Sequence, residues 1–129
     1  MIGYVTLGTN DLERATAFYD ALLAPLGASR VMPMPQGGFV WGRDWSSPML
    51  AVAPPDDGER ATAGNGNMVA LQVESRDAID ALHAHAVQLG GSCEGPPGLR
   101  GPEGEQAFYG AYFRDPDGNK LCAFRMGPA

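Results

Sequence analysis

The chain repeats itself. Adding 64 to a residue number lays Tyr4-Val5-Thr6-Leu7 on Met68-Val69-Ala70-Leu71, Asp11 on Ser75 and Phe18 on Leu82. Farther along the offset falls to 63, and Leu26-Gly27-Ala28-Ser29 meets Leu89-Gly90-Gly91-Ser92. A duplication of this length constrains the architecture more than any single motif, because each copy must hold the same elements in the same order. The first copy opens with a short strand at Tyr4–Leu7 between two glycines. Asn10, with Glu13 three residues on, reads as the cap of a helix over about 11–24, with Leu12, Ala15, Phe18, Tyr19, Leu22 and Leu23 on its apolar face. Pro25 and Gly27 end that helix. Three short strands follow, at Val31–Met34, Phe39–Trp41 and Met49–Ala53.

The second copy runs in the same order. A strand spans Met68–Val73, Ser75 caps a helix over about 76–89, and Ile79, Leu82, Ala86 and Leu89 form its apolar stripe. A weak strand around Ser92–Glu94, a Gly/Pro-rich loop from Gly95 to Glu105, and strands at 107–113 and 120–126 complete it. The pattern predicts an α+β fold of two βαβββ modules in one domain, residues 1–54 and 68–129. They are joined by a polar linker, 55–67, that lacks large apolar residues.

Composition narrows the function. With 44% hydrophobic residues the chain can bury a core. Its net charge of −6 disfavours a nucleic-acid partner and suits a neutral or cationic small ligand. Lys120 is the only lysine among nine cations, so no basic cluster exists for anionic lipid. No apolar run approaches the roughly 20 residues of a membrane span. No basic leader or cleavage site opens the chain, and Cys93 and Cys122 fit no CxxC pattern. The expectation is a cytoplasmic protein with two free thiols.

Three stretches carry a resemblance: Tyr-Val-Thr-Leu-Gly-Thr-Asn-Asp-Leu-Glu-Arg-Ala-Thr-Ala-Phe-Tyr-Asp from Tyr4, Pro-Gly-Leu-Arg at 97–100, and Tyr-Gly-Ala-Tyr-Phe-Arg-Asp-Pro-Asp-Gly-Asn-Lys-Leu from Tyr109. In duplicated modules and in this order, they make the chain similar to the vicinal oxygen chelate superfamily of glyoxalases, extradiol dioxygenases, and fosfomycin- and bleomycin-resistance proteins. The resemblance implies a cupped, mostly antiparallel eight-stranded sheet with the helices outside, commonly in a homodimer. It also implies a divalent metal held by His, Gln or Glu on the first and last strands of each module. Those positions fall here on Tyr4, Ala51, Met68 and Cys122. None is a hard nitrogen or oxygen donor of the expected kind, so the expectation is no metal and no cofactor.

Other motifs give way to simpler readings. His83 and His85, two residues apart on a helix, point to different sides and read as solvated surface groups. Asp115-Pro116-Asp117-Gly118-Asn119 has its glycine at the fourth place and lacks a closing glutamate, so it is a hairpin turn and not a calcium loop. Gly64-Asn65-Gly66-Asn67-Met68-Val69 lacks the third glycine of a dinucleotide fingerprint and precedes a strand.

Strand alternation assigns Tyr4 and Thr6, Met68, and the pair Tyr112 and Cys122 to the hollow of the sheet. Phe39, Trp41 and Arg43 share one strand face, with Trp45 close behind, and the two aromatics are expected to line the hollow as well. Cys122 is a nucleophile only if a nearby cation such as Arg43 or Arg114 lowers its pKa; otherwise it is a buried, inert thiol. Two functions follow. The first is a small organic ligand bound by Tyr4, Thr6, Phe39, Trp41, Met68, Tyr112 and Cys122 without a metal. The alternative is a divalent-metal-dependent lyase, isomerase or dioxygenase of the glyoxalase type.

Overall fold

The computed structural model describes all 129 residues. The first module contains strand β1 (Tyr4–Gly8), helix α1 (Leu12–Leu23), a 3-10 turn at Ala24–Leu26, and strands β2 (Ser29–Pro33), β3 (Phe39–Gly42) and β4 (Met49–Ala53). The second contains β5 (Val69–Gln72), α2 (Arg76–Gln88), β6 (Ser92–Leu99), β7 (Phe108–Arg114) and β8 (Lys120–Met126). Each module forms a four-stranded sheet, in the orders β1-β4-β3-β2 and β5-β8-β7-β6. The outer first strands pair in parallel with the last, and the other ladders are antiparallel. The α+β fold of two βαβββ modules is the predicted one, with the eight strands divided between two sheets.

One apolar core unites the modules. Phe18, Tyr19 and Leu22 of α1 belong to the same buried cluster as Ile79 and Leu82 of α2 and Phe113 and Leu121 of the second sheet. Removing such side chains from water is the main favourable term in folding. The linker carries no helix or strand, yet Ala61 is buried: Asn10 Nδ2 donates to its carbonyl at 3.0 Å and its amide donates to Asn10 Oδ1 at 2.7 Å.

Local chemistry corrects several expectations. Asp11, not Asn10, caps α1 by accepting from the Arg14 amide at 3.1 Å, which matches its place opposite the cap Ser75 in the repeat. The stretch Gly95–Leu99, read as loop, belongs to β6. It is an edge strand with two register shifts, where Pro96 and Pro97 need no amide donor. His83 is not solvated; it is buried on α2 against Phe113, with ring centres 6.4 Å apart, and its Nε2 has no partner.

Candidate functional site

The ladders reveal which positions in the two modules correspond. Thr6 lies opposite Ala51 across β1 and β4, as Ala70 lies opposite Cys122 across β5 and β8. On the other side Val40 faces Ala51 as Tyr112 faces Cys122. Ala51 and Cys122 are therefore equivalent. Their neighbours Leu50, Val52, Leu121 and Ala123 sit in the helix-covered core, so Ala51 and Cys122 turn to the opposite, inner faces of the sheets. Tyr4 and Met68 are 60% and 45% exposed. The four positions that the resemblance assigns to a metal thus offer a phenol, a methyl, a thioether and a thiol. No three His, Cys, Asp or Glu side chains gather to hold an ion. This donor set does not fit a zinc, nickel, manganese or iron centre of nitrogen and oxygen ligands.

The inner face of the second sheet carries more chemistry than alternation alone suggested. Cys122 is completely buried. Burial pushes its thiol above the ordinary value, and Tyr112, Arg100 and Lys120 only oppose that shift. A protonated, enclosed thiol is a poor nucleophile. Burial also raises the Tyr112 hydroxyl, with Cys122 adding to the effect. The Arg100 guanidinium lies 5.4 Å from the centre of the Tyr112 ring, and Lys120 Nζ lies 5.5 Å from it. Phe108 and Phe124 stack beside them, 5.5 Å apart and 5° from parallel. Gly110 lies under the Phe108 ring; a Cβ there would stand 2.6 Å from Cε1. Arg100 and Lys120 went unrecognised in the sequence, although Lys120, Cys122 and Phe124 alternate along one strand.

Phe39 and Trp41 do not join this face. Phe39 pairs with Val52 and Trp41 with Leu50, and both partners belong to the helix-side core. Trp41 is 1% exposed, packs against Tyr19, and donates from Nε1 to Asp20 Oδ1 at 2.9 Å. Arg30 grips the same carboxylate at 3.0 and 2.6 Å and lies over the Phe39 ring. That hydrogen bonding from Arg30 holds the Asp20 carboxyl below the ordinary range. Trp45, by contrast, stands out in solvent.

Two cavities flank the seam where the modules meet. One, of about 460 Å³, is lined by Thr6, Thr62, Asn67, Met68 and Lys120, among others. The second, of about 530 Å³, is mainly apolar and is walled by Ile2, Leu26, Trp41, Met49, Met68 and Phe124 and their neighbours. Both exceed the roughly 300 Å³ at which small-molecule sites begin. Met68 lines both and Thr6 the first, and Trp41 contributes to the second from the core side; Tyr4, Phe39, Tyr112 and Cys122 line neither.

The Asp115–Asn119 turn, read only as a hairpin connection, also clasps the modules. Asp117 accepts from Thr9 Oγ1 at 2.6 Å, from the Asn10 amide at 2.9 Å and from Arg14 at 3.2 Å. Asn119 Nδ2 donates to the Gly8 carbonyl at 2.9 Å. No local sequence signal marks these contacts, which join residues more than a hundred positions apart.

Comparison with known proteins agrees with this geometry. The chain superposes on a glyoxalase/bleomycin resistance protein from Albidiferax ferrireducens T118 with a TM-score of 0.83 and 37% identity, covering 96% of this chain and 98% of that one. A glyoxalase-related enzyme from Fulvimarina pelagi shares the fold at 22% identity and a TM-score of 0.71, covering 96% and 86%. A family enzyme from Burkholderia phytofirmans PsJN does so at 20% identity and a TM-score of 0.71, covering 96% and 97%. No functionally curated protein matches the chain. The family model described as Glyoxalase/Bleomycin resistance protein/Dioxygenase superfamily matches residues 1–123, and the chain belongs to that superfamily.

Proposed function

We propose that the protein binds a small organic molecule at the seam between its two modules, and does so without the divalent metal used by enzymes of the superfamily. The observation that carries this reading is the ladder equivalence of Ala51 and Cys122. It aligns Ala51 with Cys122, and Thr6 with Ala70, independently of sequence similarity, so the last-strand positions offer a methyl and a thiol in place of a hard donor. The two seam cavities supply the space, and the buried, protonated Cys122 argues against covalent catalysis in favour of binding. In this reading the protein is cytoplasmic, as its two lone thiols suit, and a homodimer, as the resemblance implies; sedimentation at micromolar concentration tests the dimer.

Binding is tested by thermal shift of the purified protein against a small-compound library in EDTA. The reading expects compounds that raise the melting temperature with EDTA present. Stabilisation that appears only after a divalent ion is added would contradict it.

A further inference from the structure

The 460 Å³ seam cavity has an unusual charge balance for so acidic a protein. Of its lining residues, Lys120 alone is charged. It is also the chain's only lysine. Lys120 enters no salt bridge. The Glu94 carboxylate feels the Lys120 charge but is already held by Arg114 at 2.6 Å. The rest of the cavity wall supplies neutral polar groups, Thr6, Thr62, Asn67 and Asn119, and an apolar flank that includes Val5, Met68 and Val69. A second cation, Arg100, stands over the neighbouring Tyr112 ring and is paired with no carboxylate; it donates to the Pro96 and Gly98 carbonyls instead.

We infer that this cavity selects an organic anion, a carboxylate attached to an apolar body, with the anionic head at Lys120 and the body against Met68. The inference rests on the small-molecule reading above and names its ligand class. A carboxylate gains a charge-assisted hydrogen bond from an ammonium that no protein carboxylate pairs. A cationic ligand would place like charges together in a partly enclosed space. The net charge of −6 therefore misleads about the ligand, because the local charge of the cavity is positive.

The test is calorimetric titration of the wild-type protein with three probes of one shape: 2-naphthoate, 2-naphthamide and 2-naphthylmethylammonium. The expected order is naphthoate tightest and the ammonium weakest, with naphthoate binding alone weakened by added salt. Lys120→Gln weakens naphthoate roughly tenfold and leaves the amide unchanged, while Lys120→Arg restores naphthoate binding. Equal affinity of acid and amide for the wild type, or naphthoate binding indifferent to Lys120→Gln, would overturn the anion assignment and leave the binding reading intact. If no probe binds at millimolar concentration, the anion assignment falls, and the library screen in EDTA decides the binding reading separately.

Discussion

The phenolic hydroxyl of Tyr19 donates to Asp115 Oδ2 at 2.6 Å, inside the core, and so joins the first helix to the turn of the last hairpin 96 residues away. Asp115 spends its other oxygen on the amides of Asp117 and Asn119, which shapes the turn. That turn in turn presents Asp117 to Thr9, Asn10 and Arg14. One buried bond therefore orders the contact by which the second module holds the first.

Tyr19→Phe leaves a buried carboxylate short of a donor and should cost about 1–3 kcal/mol, read from urea denaturation. Its pH dependence is distinctive. Burial, then Asp115, raises the Tyr19 pKa well above the ordinary value. Its contribution is therefore full below about pH 10, where the unfolded phenol is still protonated, and is lost as the pH rises further. The variant should be less stable at pH 8 and lose less stability above pH 10 than wild type. An unchanged alkaline slope would contradict the assignment.

Trp41 is a core residue and Trp45 is not, being 1% and 67% exposed. With Trp45→Phe, the remaining emission should be blue-shifted and resist iodide quenching. With Trp41→Phe, it should be red-shifted and readily quenched, and stability should fall by about 1–2 kcal/mol because the Asp20 contact is lost.

Gly38 has a φ of 91° and its Cβ position overlaps the Val52 carbonyl of the adjacent strand. Gly38→Ala should cost roughly 3 kcal/mol or more, from left-handed strain and overlap with backbone that has no room to retreat. Thermal unfolding measures it, and a loss below about 1 kcal/mol would count against the close approach.

His83 buries an Nε2 without a partner. His83→Leu removes that unpaired atom while keeping apolar contact with Phe113, and should raise stability by on the order of 1 kcal/mol. A loss of similar size would mean that the imidazole makes a bond the leucine cannot replace.

The repeat made most of the fold legible, since the first strand, the helix and the start of the second strand of each module recur 63 or 64 residues apart and two further strands follow in the same order. It even pointed to Asp11 as the cap, through Ser75, where the local capping-box pattern at Asn10 and Glu13 pointed elsewhere. The face of β3 was not legible, because alternation defines two sets of side chains without saying which is inside. In the second module the Asp115–Asn119 turn fixed the register and put Phe113 on the helix side correctly. The Arg43–Pro48 connection has no such tight turn; Asp44 Oδ1 instead gathers the amides of Ser46 and Ser47, a geometry the sequence leaves open. Trp41 pairs with Leu50 as Phe113 pairs with Leu121, but Trp41 and Phe113 lie 72 residues apart, an equivalence that the ladders show and the offset of 63 or 64 does not reach. The seam cavities depend on how two separate sheets abut, and no periodicity within either module encodes that.

The central claim is a ligand site that works without a metal. Its most direct measurement is metal content: the protein is incubated with nickel, zinc, manganese and ferrous iron, desalted without chelator, and assayed by mass spectrometry of the elements and of the native protein. The account predicts that no ion is retained in stoichiometric amount. One ion held per chain, and released by Cys122→Ser or Tyr4→Phe, would contradict it.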